Sequence, residues 1–369
     1  MSARLKLRRG VVAGEDPLTV QVDGELRRAW ADEALLGEMR EGDEVVVNVA
    51  AVDLGLGSGG FDVVHVNLTR GLGASGESRE HIMKLNYTSL QHPVAPVELP
   101  LFLSPDIDGQ GTAERSEEEQ GTPERGARDM PPAEAMRVLI LPLHGHLAPA
   151  AWAAAQASPG LNVGYVQTAG GALPGSLSRD VARLRERGLV CGHVTAAPAY
   201  GGEHEALSVA GALDAAASSL GWDAALVGPG PGIIGSDTRL GHGGMAALDN
   251  AHAALALGLP TLISPRLSES DPRDRHRGVS HHTLTVLELL LGGVGVAVPA
   301  GNPEIATKLA GAAGDTHKLH EAQPDLAGYA VSNLPARTMG RAIEEDPLFF
   351  AAALAAGQVL ATSPVGGAG

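Results

Sequence analysis

Ala224-Ala225-Leu226-Val227 opens into Gly228-Pro229-Gly230-Pro231-Gly232, passes Ser236, Asp237 and Thr238, and reaches Gly241-His242-Gly243-Gly244 ahead of an alanine-rich run over residues 246–257. An apolar run, a glycine-dense loop and a helix-forming segment describe a strand, a turn and a helix start. Glycine lets a backbone approach a ligand closely, and the free N–H groups of a helix start attract anions. The unit therefore marks a ligand loop, with Gly228, Gly230, Gly232, Gly243 and Gly244 as its contacts. The same residues also suit a purely structural turn, since the chain carries 49 glycines and 24 prolines. The loop is neither GxGxxG nor a lysine-bearing P-loop, so neither a dinucleotide nor a triphosphate follows from it.

Outward from this unit, the pattern of apolar strand, loop and helix repeats from residue 137 onward. Strands are expected at 138–143, 163–167, 190–196, 224–227, 261–264 and 294–298. Helices are expected at 150–157, 178–187, 203–220, 246–257 and 281–291. Short β-rich runs alternating with helices imply a mainly parallel sheet covered on both faces, a doubly wound, Rossmann-like α/β domain over residues 136–369. In such sheets ligands sit beyond the carboxyl ends of the strands. His144, His146, Gln167, Thr168, Tyr200, the glycine loop and Arg266 all fall there.

Residues 1–100 read differently. Valine-rich alternation at 11–12, 19–22, 45–49 and 63–66, broken by Gly10, Asp23-Gly24, Gly42-Asp43 and glycines at 57–60, predicts a small antiparallel β-barrel that braces the larger domain or meets a partner. Residues 101–135, with Ser116-Glu117-Glu118-Glu119 and almost no large apolar side chain, read as an acidic disordered linker or loop.

Composition narrows the function classes. A net charge of −16 and 3% aromatic residues argue against nucleic-acid binding and against membrane binding by bulk charge. The single cysteine, Cys191, excludes an intramolecular disulfide or a thiolate zinc site and points to a cytoplasmic protein. No signal core or membrane span is expected. Alanine-rich helices such as 246–257 can face the sheet or a neighbouring copy, so a homo-oligomer is compatible with the sequence.

The chemistry concentrates in histidines and arginines. His144 and His146 stand two apart at a strand end, where imidazoles can aim at one metal. His242, His281, Asp271 and Asp274 complete a candidate shell for a divalent metal such as zinc, with His282 beside it; alternatively these imidazoles bond backbone or ligand without metal. The segment Asp271-Pro272-Arg273-Asp274-Arg275-His276-Arg277-Gly278-Val279-Ser280-His281-His282 places Ser280 to cap a helix. Its arginines supply forks for carboxylate or phosphate. An exposed charged loop is the plainer account of that segment.

The chain resembles an uncharacterised bacterial family, common in high-GC Gram-positive lineages, that is catalogued only as a domain of unknown function. The resemblance runs over nearly the whole length, on His81-Ile82-Met83-Lys84-Leu85, the 228–244 loop, residues 276–283, Thr338-Met339-Gly340-Arg341, and Glu345-Asp346-Pro347-Leu348-Phe349-Phe350. It implies no activity. The residues themselves lead to two expectations. One is an enzyme binding a small anionic molecule, with His144, His146, His281 and His282 catalytic, Arg266, Arg275 and Arg277 neutralising charge, and metal-assisted hydrolysis as the reaction. The other is a noncatalytic metabolite sensor or assembly protein.

Overall fold

The computed structural model describes residues 4–56, 59–73, 80, 82–99 and 136–363. The acidic stretch expected to be a disordered linker lies outside the described residues.

Five strands close a barrel in the order β1-β2-β3-β5-β4: β1 (Leu7–Glu15), β2 (Leu18–Val22), β3 (Glu25–Trp30), β4 (Glu44–Asn48) and β5 (Asp62–Asn67). The one-turn helices α1 (Glu33–Leu36) and α2 (Ala50–Asp53) join them. Period-two alternation sends Val12, Val20, Val22, Val45, Val47 and Val64 inward, where they form the barrel core. The barrel closes between β4 and β1 and is antiparallel except where β3 and β5 pair in parallel.

Asp43 is buried beneath this barrel and accepts hydrogen bonds from Asn67 Nδ2 at 3.0 Å, Arg70 Nε at 2.9 Å and the Arg40 N–H at 3.0 Å. Burial alone would raise its carboxyl pKa, but Asn67, Arg70 and the Arg40 N–H outweigh burial and hold it below the ordinary value. A depressed folded-state pKa stabilises above the unfolded value, and that contribution disappears as pH falls through the folded one. Asp43→Asn is therefore expected to lose about 1.5 kcal/mol at neutral pH, the scale of a charged hydrogen bond. Urea titrations should show the gap from wild type closing below about pH 4; a gap independent of pH would remove the charge from the explanation.

A hairpin of β6 (Ile82–Lys84) and β7 (His92–Val94) leads to the large sheet. That sheet contains β8 (Arg137–Ile140), β9 (Val163–Thr168), β10 (His193–Ala196), β11 (His204–Ala206), β12 (Ala224–Pro229), β13 (Thr261–Ile263), β16 (Gly295–Pro299) and β17 (Lys318–Ala322). Its order is β11-β10-β9-β12-β8-β13-β16-β17, and every pairing is parallel. Two small ribbons lie outside it, β14 (Leu267–Ser268) with β15 (Gly278–Val279) and β18 (Arg337–Thr338) with β19 (Arg341–Ala342).

Helices cover both faces. On one lie α3 (Leu147–Ala157), α4 (Arg179–Glu186), α9 (Leu326–Ala330) and α10 (Pro347–Thr362), packed with Leu139, Leu141, Tyr165 and Leu226. On the other lie α5 (Val209–Ser218), α6 (Ala246–Ala256), α7 (His281–Leu289) and α8 (Pro303–Ala313), packed with Val138, Ile140, Val166 and Val227. Strand neighbours thus divide between two cores, as alternation requires. Among the described residues no helix is long and apolar enough to cross a membrane.

The expected helix over 203–220 is split: its first residues form the edge strand β11, and only after the Ser208 cap, which accepts from the Gly211 N–H at 2.9 Å, does α5 begin. The strand expected from residue 190 starts at His193. Beyond residue 298 the structure adds β17 and the 16-residue α10.

The order of strands fixes where a crevice opens. After β8 the chain turns into α3 on one face; after its neighbour β12 it turns into α6 on the other. Adjacent connections that part in this way leave a gap at the carboxyl edge, above β8 and β12.

Candidate metal centre and anion cradle

The tail of β12 enters this gap and is held there by polar side chains from beneath. Tyr165 donates its hydroxyl toward the Gly228 and Pro229 carbonyls at 3.1 and 3.0 Å. His144 Nδ1 donates to the Pro229 carbonyl at 3.3 Å, which leaves Nε2 to accept from Ser178 Oγ at 2.7 Å. His146 meets Ser264 Oγ through Nδ1 at 2.8 Å, and its Nε2 is buried without a partner. Burial, followed by the charge of Arg266, pushes His146 down to about 3.

The glycines of the loop are required by the protein's own packing. A Cβ on Gly230 would lie 2.3 Å from the Ala172 carbonyl oxygen, and one on Gly243 would lie 1.9 Å from that of Gly170. Gly232 adopts a positive φ of 73°. At Gly244 a Cβ would crowd the Nδ1 atoms of His282 and His242, at 2.9 and 3.0 Å. That last glycine leaves space for imidazoles.

His242, His281 and His282 come together there, each offering a ring nitrogen within 4.8 Å of the others. Two come from the first turn of α7, which Ser280 caps by accepting from the His282 N–H at 3.2 Å. The third is delivered by a short hairpin, bridged between Gly235 and His242 and closed by the Gly243 N–H on the Ile234 carbonyl at 2.7 Å. His242 and His282 stack with centroids 3.5 Å apart and an interplanar angle of 8°.

The proton positions follow from the partners. His242 Nε2 donates to the Arg239 carbonyl at 2.9 Å, so the Nδ1 lone pair is free, and that atom is buried without a partner. His281 Nε2 is likewise buried and unpartnered. Burial holds both rings below the ordinary histidine pKa, and burial with the Arg266 charge pushes His282 down to about 2. All three are neutral, the form that binds metals.

The arginines form a second group. Arg266 is buried and its Nη1 donates to His282 Nδ1 at 3.2 Å. Its Nη2 stands 3.5 Å from Asp271, which also pairs with Arg273 at 2.8 Å and Arg341 at 3.7 Å. Burial would raise the Asp271 pKa, but the hydrogen bonds and charge of Arg273 hold it below the ordinary carboxylate range. Arg275 pairs with Asp237 on the His242 hairpin at 2.6 Å, and its Nε is buried without a partner. Arg277 pairs with the exposed Asp274 at 3.1 Å.

Among the described residues, the histidines and acids expected to share one centre are thus divided. His242, His281 and His282 meet; His144 and His146 lie along the same sheet edge but are engaged with Ser178 and Ser264; Asp271 and Asp274 face arginines. Two further histidines enter the surroundings. His276 bonds Ser280 Oγ at 2.7 Å with its ring 4.8 Å from His282, and its proximity to His281 in sequence was the available signal. His193, inside β10 and stacked 5.3 Å from Tyr165, carried none.

The sequence profile of the family described as "Protein of unknown function (DUF3866)" matches residues 28–101 and 109–357, so the chain belongs to that family. No curated protein and no solved structure matches it.

Proposed function

We propose that His242, His281 and His282 hold one divalent transition metal, zinc by ligand chemistry, and that the protein hydrolyses a small anionic substrate beside it. The observation that carries this reading is the convergence of three neutral imidazoles, two of them with a buried nitrogen that has no other partner. Three nitrogen ligands around zinc at roughly 2.1 Å stand about 3.4 Å apart, and because an imidazole binds through the lone pair in its ring plane, His242 and His282 must turn out of their stack for the shell to close. With three protein ligands the fourth position stays open, as in catalytic rather than structural zinc sites. A metal there would supply a hydroxide at neutral pH.

The surroundings favour that charge pattern. Among the described residues no carboxylate joins the imidazoles, while Arg266 and the start of α7 place positive charge nearby. A cation among neutral ligands and positive neighbours gains most from an anionic fourth partner, whether hydroxide or substrate. Arg266 and Arg275 are the groups to neutralise a carboxylate or phosphate.

Two measurements test the proposal together. Loading the apoprotein with cobalt(II) should give the intense visible bands of a four-coordinate N-ligated ion, at one equivalent per chain. A panel of phosphate and carboxylate ester substrates should then show turnover that chelation removes and zinc restores. No uptake of either metal sinks the centre; uptake without turnover of any anionic ester sinks the hydrolase and moves the reading to a metal-linked sensor.

A further inference from the structure

We infer that Arg266 is displaced from His282 when the triad takes up its metal, and that the freed guanidinium then becomes the arm that binds an oxyanion; this rests on the metal reading above. A neutral imidazole has one N–H and one in-plane lone pair. Because Arg266 Nη1 donates to Nδ1 at 3.2 Å, the lone pair of His282 lies on Nδ1 and its proton on Nε2. If the metal takes Nδ1, the acceptor of that hydrogen bond is consumed. If it takes Nε2, the proton must move to Nδ1, and two N–H donors face one another. Arginine keeps its protons and accepts nothing, so it has no complementary state to adopt. On either nitrogen the Arg266–His282 contact and the metal exclude each other.

The rest of the contacts show what the released side chain lacks. Its backbone is anchored, since the Arg266 N–H donates to Thr283 Oγ1 in α7 at 2.8 Å, so only the side chain swings. Its Nη2 faces Met339 Sδ at 3.8 Å, a weak acceptor, and Asp271, which Arg273 and Arg341 already share. Arg341 also pairs with the buried Asp346 at 3.0 Å. Three guanidinium groups, Arg266, Arg273 and Arg341, therefore share two buried carboxylates. Once its Nη1 leaves His282, Arg266 has donors to spare beside the triad, and Arg341 Nη2 is already buried without a hydrogen-bond partner. A tetrahedral or carboxylate oxyanion supplies the missing acceptors and charge.

Metal and oxyanion then bind with positive coupling, which is reciprocal by linkage. The probes are zinc and sulfate, titrated by calorimetry into wild type, Arg266→Met and Arg266→Lys, with the thermal melt of each variant as the check on folding. Wild type should bind sulfate about tenfold tighter when zinc-loaded, the worth of one ordinary hydrogen bond. Arg266→Met should bind zinc about tenfold tighter than wild type, since its competitor is gone, and should lose the sulfate coupling. Arg266→Lys, which keeps charge without the fork, should lose most of the coupling and serves where the methionine variant does not fold. Sulfate affinity indifferent to zinc in wild type, unchanged or weaker zinc binding in folded Arg266→Met, or coupling that persists in the variants through direct sulfate–zinc contact, overturns the inference while leaving the triad standing. Failure of wild type to bind zinc instead removes the metal reading beneath it.

Discussion

Replacing Gly243 with alanine is expected to cost about 3 kcal/mol of stability, at the upper end of what overpacking a close contact does. The added methyl would sit 1.9 Å from the Gly170 carbonyl oxygen, and Gly170 itself is held at φ 108° with its own absent Cβ facing the Gly243 carbonyl at 2.4 Å. Two backbones, one leaving β9 and one following β12, pass each other where neither tolerates a side chain. A carbonyl on a fixed turn has no rotamer to change, so the strain falls on both loops. Urea denaturation measures it directly, and a variant within about 0.5 kcal/mol of wild type, the range of neutral surface changes, would show that the loops part freely. Lost ligand binding in this variant would report the collapse of the turn and says nothing about contact between Gly243 and a ligand.

Replacing His281 with alanine is expected to weaken zinc binding by more than about 100-fold, beyond the 10–100-fold typical of changes behind the ligands. The same change should leave the melting temperature of the metal-free protein close to wild type. His281 is only half-buried, and its Nε2 holds no partner, so its removal breaks no hydrogen bond through that atom. His144→Ala makes the opposite control: it strips the Pro229 carbonyl and Ser178 of a buried partner and should lower stability while leaving the triad's ligands in place. Equal zinc affinity in His281→Ala and wild type would dissolve the proposed centre.

What the sequence made legible follows from where burial writes a pattern. β12 and α6 stand out because an apolar run, glycines and an alanine helix follow in order, and the Ser280 cap marks α7 to the residue. β11 and β17 do not, because as edge strands their polar residues His204, Glu205, Lys318 and Glu321 meet solvent or partners instead of a core. α10 is buried nearly all round, so it lacks the one-sided stripe that reveals a surface helix. In the site, the adjacency of His281 and His282 was readable, and so was the loop that carries His242; its closing into a hairpin was not. The partition of the acids was not: whether Asp271 faces a metal or three arginines depends on Arg266 and Arg341, which lie 5 residues before it and 70 after it in the chain.

The hairpin of β6 and β7 has a consequence for how copies of this chain can meet. Lys84, buried, extends its ammonium group to the Thr195 carbonyl and to Glu205 on the outermost strand, and the Pro96 bridge occupies that strand's free backbone edge. At the opposite margin β17 exposes Lys318 and Glu321, while Leu319, His320 and Ala322 are half-buried. An open eight-stranded sheet offers two templates for runaway strand addition. Here one is covered by a proline-bearing strap and the other carries Lys318 and Glu321, so both edges are disfavoured as templates for continuing the sheet.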